Sequence, residues 1–306
     1  MPFNATLVWS LVIATTFFWG SNFNAAHAIA GEVAPLTAAA ERFALAVVVL
    51  LLVRVWQGRA ESQLTGREQI VLVLLGLVGV FGFNAAFFIA LHTTSALNAA
   101  LIMALSPLLT TLLSAAFLGT GLPARQLVGI LIAFAGVTLV ITGGRLNVVH
   151  LARGDVWMLL ACFTWSLYSV LLKRFASRVP SLQQARWTIA SGAVALVTMA
   201  LWVENPLPVI TQQSFNATLV LVYMSICGTV LAYIFWLQGV EKLGPQRAAV
   251  AFNLVPVFTL LVNLALGHWP SAEQFGGLVL VIVGVLVATG ALQHWMQSRP
   301  SALAKS

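Results

Sequence analysis

Two pairs of side chains inside apolar stretches have the chemistry of a ligand-binding site. Trp19 and Asn22 are three residues apart, and Trp165 and Tyr168 repeat that spacing 146 residues later. Residues at this spacing share one face of a helix, so each pair can offer an aromatic surface beside a hydrogen-bonding group. Tryptophan is also common at membrane interfaces, but these two lie deeper than the ends of their stretches. The spacing predicts that both pairs line a common cavity.

Further polar side chains interrupt the apolar stretches, where an unsatisfied polar group is costly. A single Asn or Ser commonly holds two membrane helices together by hydrogen bonding. Ser106 directly precedes a proline, and Asn253 lies about one helical turn before another, which favours a binding role for these two. The candidates for ligand contact are therefore Trp19, Asn22, Phe83, Asn84, Ser106, Trp165, Tyr168, Tyr233 and Asn253.

Pro107 and Pro256 lie near the middle of two apolar stretches. A proline inside a helix removes a backbone hydrogen bond and bends the helix, which frees a carbonyl group close to the bilayer centre. Either proline can be a packing kink that contacts no ligand. Their matching positions in the sequence favour a pair of flexible points, and we predict both as hinges.

Ionisable side chains are not expected in the middle of the apolar stretches. We place Glu41, Arg42 and Arg186 within two turns of a span end, which leaves the central region without lysine or arginine. A proton-coupled carrier usually needs a buried titratable group, so facilitated diffusion or exchange is favoured. The two cysteines, Cys162 and Cys227, lie inside spans and carry no disulfide or metal signal. No catalytic residue, metal or cofactor is predicted.

The chain that carries these residues is strongly apolar. Of its 306 residues, 60% are hydrophobic and 8% are charged, and the mean hydropathy is +0.97. Soluble globular proteins have a very different composition, and about 20 apolar residues suffice to cross a bilayer as a helix. The sequence predicts an all-α polytopic membrane protein. The ten expected transmembrane helices lie near 7–30, 35–57, 68–91, 95–118, 123–142, 155–176, 181–203, 216–240, 246–267 and 271–295.

The distribution of basic residues explains the net charge of +7. If the ten spans alternate, eleven Lys and Arg residues fall on one side of the membrane, and only Arg145 and Arg153 fall on the other. This asymmetry follows the positive-inside rule and argues against a nucleic-acid partner. We therefore expect a multi-pass protein of the bacterial inner (plasma) membrane with both termini in the cytoplasm.

The sequence contains an internal repeat. Gly79 and Gly228 are 149 residues apart, as are Pro107 and Pro256, and the order of the matching residues is kept along both halves. A unit with an odd number of spans, repeated in tandem, enters the membrane from opposite sides and gives inverted repeats, an architecture typical of transporters. We predict two inverted five-helix repeats at 1–142 and 155–296, a linker at 143–154 and a cytoplasmic tail at 297–306.

The repeated glycines in the fifth and tenth spans have a structural interpretation. Gly129 and Gly136 are seven residues apart, and Gly277 and Gly284 have the same spacing. Small residues let membrane helices approach closely. These two spans are expected to pack on each other, or to form the interface of a homodimer; monomer and homodimer both stay open.

Several motifs resemble the EamA family of the drug/metabolite transporter superfamily. They are the opening run Trp19-Gly20-Ser21-Asn22-Phe23, the pair Ser106-Pro107 and the segment 239–244 (GVEKLG) followed by Pro256. The resemblance covers nearly the whole chain and implies a transporter of small molecules. Phosphate-ester carriers of the superfamily have basic residues in the cavity, which this sequence is not expected to have. The aromatic candidates are similar to those of the YddG-type exporters of aromatic amino acids.

We therefore expect an exporter of small neutral or zwitterionic metabolites, most of all aromatic or other apolar amino acids, that works by alternating access. Its partners would be the small-molecule substrate and the membrane lipid. A multidrug or other metabolite efflux carrier is the alternative within the same class. A membrane enzyme would need a nucleophile with a base, or a metal cluster, at mid-depth, and a non-transporting scaffold would not need paired breaks in its spans.

Overall fold

The computed structural model describes residues 5–57, 63–119, 121, 124–142, 144, 152–243 and 254–289. Every regular element within these ranges is a helix. The predicted all-α, membrane-spanning architecture is confirmed in this coarse form, whereas the count of ten spans stays a prediction. Among the residues that the structure describes, six stretches are long and apolar enough to cross a membrane: Pro35–Trp56, Gly66–Leu91, Ala96–Leu118, Arg153–Phe175, Leu182–Val203 and Phe215–Trp236.

The described helices of the first half are numbered in chain order. They are α1 (Ala5–Ile29), α2 (Pro35–Gln57), α3 (Gly66–Gly76), α4 (Phe83–Leu91), α5 (Ala96–Met103), α6 (Ser106–Leu118) and α7 (Ala124–Thr142). A π-helical segment, Leu77–Gly82, joins α3 to α4 without a break in the chain direction. A single π-type turn widens a helix locally and is frequent at functional sites.

The described part of the second half has a similar order of helices, with one additional short helix, Pro206–Gln212. Its described helices are α8 (Arg153–Phe175), α9 (Ser181–Val203), α10 (Pro206–Gln212), α11 (Phe215–Ser225), α12 (Ala232–Leu243), α13 (Val255–Ala265) and α14 (Ala272–Thr289). A second π-helical segment, Ile226–Leu231, joins α11 to α12. The two π-helical segments start 149 residues apart, and so do α6 and α13, which is the spacing of the sequence repeat.

Pro107 and Pro256 lie at the starts of helices rather than in the middle of continuous ones. Residues 104 and 105 separate α5 from α6, and each proline occupies the first turn of its helix. Proline is well tolerated there because the first N–H groups of a helix have no intrahelical partner. The carbonyl four residues before Pro107 belongs to Met103, and it accepts a weak hydrogen bond from Cys162 Sγ at 4.0 Å.

Helices α7 and α14 pack closely on each other within one chain. A Cβ atom added at Gly136 would lie 2.8 Å from the Gly277 carbonyl oxygen, and one at Gly284 would lie 2.6 Å from that of Gly129. These distances leave no room for a side chain at either position. The four glycines expected to let the fifth and tenth spans approach therefore form this contact, which confirms their packing on each other.

Two carboxylates join helix ends that are distant in sequence. Glu204, directly after α9, accepts hydrogen bonds from the backbone N–H groups of Leu36 and Thr37 at 3.0 and 2.7 Å, at the start of α2. Glu32 accepts hydrogen bonds from the backbone N–H and the hydroxyl of Ser214, at the start of α11. Negative charge at a helix N-terminus satisfies free N–H groups and complements the helix dipole.

Candidate functional site

A small cavity of about 70 Å³ lies between helices from both halves of the chain. Helices α1, α2, α4, α5, α8, α12 and α13 and the second π-helical segment contribute to its wall. Its lining consists of Trp19, Asn22, Phe23, Arg42, Phe43, Phe83, Asn84, Phe87, Met103, Trp165, Gly228, Tyr233 and Val255. Most of these side chains are aromatic, and Asn22, Asn84 and Arg42 add amide and guanidinium groups that can bind a ligand.

Six of the nine residues named from the sequence as ligand contacts line this cavity: Trp19, Asn22, Phe83, Asn84, Trp165 and Tyr233. Ser106 and Tyr168 do not line it. Ser106 is buried and accepts a hydrogen bond from Ser166 Oγ to its carbonyl oxygen at 3.2 Å. Asn253 lies outside the described residues, and the two predicted hinges, Pro107 and Pro256, are placed in the first turns of α6 and α13.

The aromatic side chains form a nearly continuous wall. The ring centroids of Trp165 and Phe83 are 5.4 Å apart, those of Phe83 and Phe87 are 5.7 Å apart, and those of Phe87 and Phe23 are 5.2 Å apart. Trp19 of the first half meets Tyr233 of the second half edge to face at 6.4 Å. These separations are within the range of favourable aromatic pairs, so the wall is held in place by its own contacts and presents flat apolar surface to a ligand.

Two buried amides add hydrogen-bond acceptors to this wall. Asn84 donates from Nδ2 to the Val80 carbonyl at 2.8 Å, which directs its Oδ1 away from the helix backbone. The Oδ1 atoms of Asn84 and Asn22 are buried, and neither has a hydrogen-bond partner in the described part of the protein. Because a buried acceptor without a partner costs free energy, both oxygens are suited to receive a donor from a ligand.

Arg42 corrects the expectation that the central region contains no basic residue. Its side chain lines the cavity and is only 7% exposed. Nε donates to Thr229 Oγ1 at 2.9 Å, and Nη2 approaches the Gly228 carbonyl at 3.4 Å. A guanidinium has five N–H donors, so these two bonds hold the group against the second π-helical segment while leaving donor capacity for a ligand.

Arg42 was not expected in the cavity because its depth in the membrane was judged from its distance along the sequence to the end of the span. Arg42 lies seven positions after Pro35, the first residue of α2. This spacing corresponds to about 10 Å along a helix. A long arginine side chain can reach further inward from that position, whereas sequence position alone measures only the depth of the backbone. An ionisable residue inside an apolar stretch is by default a functional candidate, and that signal could have identified Arg42.

The two π-helical segments receive side chains from the other repeat. Gly228 lies directly against the amide of Asn22, and Gly79 lies directly against the ring of Tyr168. Asn22 and Tyr168 are the repeat-related residues predicted to face a common axis. Both therefore occupy equivalent places against a glycine, but the small amide of Asn22 reaches the cavity, whereas the Tyr168 ring packs with Leu72 and Leu75.

The site has no arrangement typical of metal binding. No group of three or more His, Cys, Asp or Glu side chains that could hold a metal ion occurs among the described residues. The groups that line the cavity can form hydrogen bonds, supply one positive charge and make aromatic contacts. The cavity lies within a bundle of helices long and apolar enough to span a membrane.

Comparison with known proteins places this helical bundle in a family. The family model described as the EamA-like transporter family matches residues 7–142 and again residues 152–290. The chain therefore belongs to the EamA-like transporter family. It is a membrane transporter of metabolites, and neither the family nor its relatives indicate a catalytic activity.

Several relatives match over almost their whole length. The uncharacterised transporter YyaM of Bacillus subtilis is 35% identical, with 94% of both chains covered. The aromatic amino acid exporter YddG of Ancylobacter novellus is 28% identical, with 94% of this chain and 95% of the relative covered. One solved crystal structure is 24% identical and has a TM-score of 0.67, covering 94% of this chain and 99% of that chain, which supports the same fold.

Proposed function

We propose that this transporter exports small zwitterionic metabolites, most of all amino acids with aromatic or other apolar side chains, by alternating access. One observation carries the proposal. A single cavity combines the guanidinium of Arg42, two amide oxygens without partners and an aromatic wall. These three features match the carboxylate, the ammonium and the apolar side chain of such an amino acid.

Each contact has a specific chemical role. Arg42 would donate charge-assisted hydrogen bonds to the substrate carboxylate, which an arginine binds in a planar, bidentate geometry. The Oδ1 atoms of Asn22 and Asn84 would accept hydrogen bonds from the ammonium group. Trp165 and Phe83 would contact the side chain of the substrate. The YddG relative, named as an aromatic amino acid exporter, supports the same substrate class.

The volume of the cavity supports a mechanism with a change of conformation. Sites for small organic ligands usually have about 300 to 1,000 Å³, whereas this cavity has about 70 Å³. Binding would therefore require the two repeats to separate around the cavity. The break between α5 and α6 and the start of α13, with Pro107 and Pro256 beside them, are the places where the helices would flex.

The finer architecture is part of the same proposal. Ten spans in two inverted repeats, with both termini in the cytoplasm, would give the pseudo-twofold relation that alternating access requires. The family model matches twice, and the π-helical segments recur at the repeat spacing. The eleven-to-two distribution of basic residues supports the orientation.

Efflux of cationic drugs is the alternative that the aromatic wall favours, because cations bind well to aromatic faces. The position of Arg42 opposes it, since a positive charge in a buried cavity repels a cationic ligand. A scaffold without transport activity is the alternative from another class. A scaffold would not explain why the buried Oδ1 atoms of Asn22 and Asn84 have no hydrogen-bond partner among the described residues.

Transport of matched phenylalanine derivatives tests the proposal. Purified protein in proteoliposomes is assayed for uptake of labelled phenylalanine in competition with phenylalaninamide, which lacks the carboxylate, and 3-phenylpropionate, which lacks the ammonium. We expect phenylalanine to compete strongly and both derivatives weakly, and empty liposomes to show no specific uptake. Equal competition by phenylalaninamide would contradict the carboxylate role of Arg42. If neither amino acids nor cationic drugs are transported, the result would favour a scaffold without transport activity.

A further inference from the structure

A second and larger cavity, of about 350 Å³, lies between α2 and α9. Its α2 wall is the stripe Val47, Leu50, Leu51 and Arg54, whose spacing of three and four residues places them on one helix face. Arg186, Trp187 and Ala190 of α9 form the facing wall. None of these residues lines the cavity around Arg42.

The polar and apolar parts of this cavity are separated along its length. Arg54 lies in the last turn of α2, and Arg186 lies in the second turn of α9. Because the start of α2 contacts Glu204 at the end of α9, the two helices are antiparallel, and both basic groups lie on the same side of the bundle. Seven residues separate Arg54 from Val47, which is about 10 Å along a helix. The cavity therefore runs from two guanidinium groups to a purely aliphatic region.

The cavity opens on a surface suited to lipid rather than to water. Its wall residue Leu51 is 50% exposed, and the neighbouring Val48 of α2 and Val194 of α9 are 52% and 68% exposed. Exposed aliphatic side chains along a membrane-spanning helix face the acyl chains of the bilayer. Trp187 beside Arg186 is of the residue type that membrane proteins concentrate at the level of the lipid headgroups.

The basic end of the cavity is also the end predicted to be cytoplasmic. Lys173, Arg174 and Arg178, at and after the end of α8, precede α9 on the same side. The cytoplasmic leaflet is rich in anionic lipids, and basic pockets between membrane helices on that side bind their headgroups. Arginine is especially suited to a phosphate group because its donors form a planar fork.

We propose that the cavity between α2 and α9 is a binding site for one anionic phospholipid. The headgroup phosphate would lie between Arg54 and Arg186, and the start of an acyl chain would lie along Val47, Leu50 and Leu51. The site is separate from the substrate cavity, and the proposal does not depend on the identity of the substrate. Because α2 also carries Arg42, a bound lipid would contact one of the helices that build the transport site.

Retention of lipid by the purified full chain tests the proposal. The protein in detergent is mixed with equal amounts of phosphatidylglycerol and phosphatidylcholine, and bound lipid is counted by native mass spectrometry. We expect preferential retention of one phosphatidylglycerol. Since each basic group near an anionic lipid contributes about fivefold to affinity, Arg54→Gln and Arg186→Gln should each lower that affinity by about fivefold. The control Arg174→Gln should change it by less than about twofold.

Two further measurements keep the result decisive if an arginine variant folds poorly. Leu51→Trp keeps both charges but fills the cavity, and it should also displace the lipid. Thermal unfolding with added inorganic phosphate separates a lipid from a free anion: phosphatidylglycerol should stabilise the wild-type protein, and phosphate should not. Equal retention of both lipids, an equal loss in Arg174→Gln, or equal stabilisation by phosphate would each overturn the proposal.

Discussion

Hydrogen bonds hold the guanidinium group of Arg42 in one orientation. Its hydrogen bonds to Thr229 and to the Gly228 carbonyl anchor one edge of the guanidinium on the second π-helical segment. Its backbone carbonyl accepts a hydrogen bond from Ser225 Oγ at 2.9 Å, which ties α2 to α11 at the same level. A change in the packing of these helices would therefore move the positive charge that lines the cavity.

Replacement of Arg42 tests the carboxylate contact. A hydrogen bond to a charged group contributes about 1.5 to 3 kcal/mol, so Arg42→Gln should raise the KM for a zwitterionic amino acid by roughly 10- to 150-fold. Arg42→Lys keeps the charge without the planar fork and should have an intermediate effect. Uptake into proteoliposomes measures both, and the exposed Lys173→Gln is the matched control. An unchanged KM in a folded Arg42→Gln protein would remove Arg42 from the binding site.

Removal of the Trp165 ring tests the aromatic wall. Trp165 contacts Phe83 at 5.4 Å, and an aromatic pair contributes about 0.5 to 1.5 kcal/mol beyond its buried area. Trp165→Ala should therefore lower the flux of aromatic substrates by roughly 2- to 12-fold or more. Trp202→Ala, at a position that is 82% exposed, is the control. If the two variants transport equally well, Trp165 has only a packing role.

The sequence indicated six of the thirteen residues that line the cavity. Trp19 and Trp165 could be found because a polar or aromatic residue well inside an apolar stretch is unusual. Tyr168 was expected to share the cavity with Asn22, and no sequence pattern indicates that its ring is buried against Gly79. These helices are apolar on all sides, so a periodic pattern cannot indicate which face meets the cavity.

At the scale of elements, the first π-helical segment contacts α8 and the second contacts α1. Gly79 and Gly228 occupy equivalent positions in these segments, and each leaves space that a side chain of the other repeat fills. Helix type, span position and the repeat could be predicted from composition and spacing. The π-type turns could not, because they depend on the contact between repeats rather than on local sequence.

Gly228→Ala tests this contact. The new Cβ would overlap the Asn22 amide, and overpacking of this kind typically costs about 1 to 3 kcal/mol of stability. The melting temperature of the purified protein should fall. It should recover partly in the double variant Gly228→Ala with Asn22→Ala, because the overlap is then relieved. Gly31→Ala, where nothing lies within 4 Å, is the control. Additive losses in the double variant would contradict a direct contact.

At the scale of the whole molecule, the two halves contact each other at helix ends as well as around the cavity. Glu204 of the second half holds the start of α2 in the first, and Glu32 of the first half holds the start of α11 in the second. These reciprocal links cross between the repeats at the face opposite Arg54. They would oppose separation of the repeats at that face.

The predicted orientation follows from the distribution of basic residues. A single cysteine introduced at Asn147, in the segment between the repeats, should react with a membrane-impermeant thiol reagent added outside intact cells. A reporter fused to the C-terminus should be active only in the cytoplasm. The cysteine-free protein, with Cys162 and Cys227 replaced, is the background. Reaction at position 147 only after permeabilisation would refute the inverted arrangement.

Transport should not depend on a proton gradient. The cavity-lining residues that the structure describes include no Asp, Glu or His, so no carboxylate or imidazole there can bind and release a proton. With equal substrate on both sides, a pH step across proteoliposomes should give no accumulation, and labelled substrate should still exchange. Sustained accumulation that an ionophore abolishes would show proton coupling and direct attention to Glu41 or His27.

The small volume of the cavity also has a consequence for proton leakage between transport cycles. A continuous file of water conducts protons by hopping along its hydrogen bonds, and each charge that leaks across 100 mV dissipates about 2.3 kcal/mol. A cavity of about 70 Å³ has room for only a few water molecules, far fewer than a file across about 30 Å of hydrocarbon requires. We therefore expect that a transporter molecule without substrate conducts few protons and leaves the proton gradient across the membrane intact.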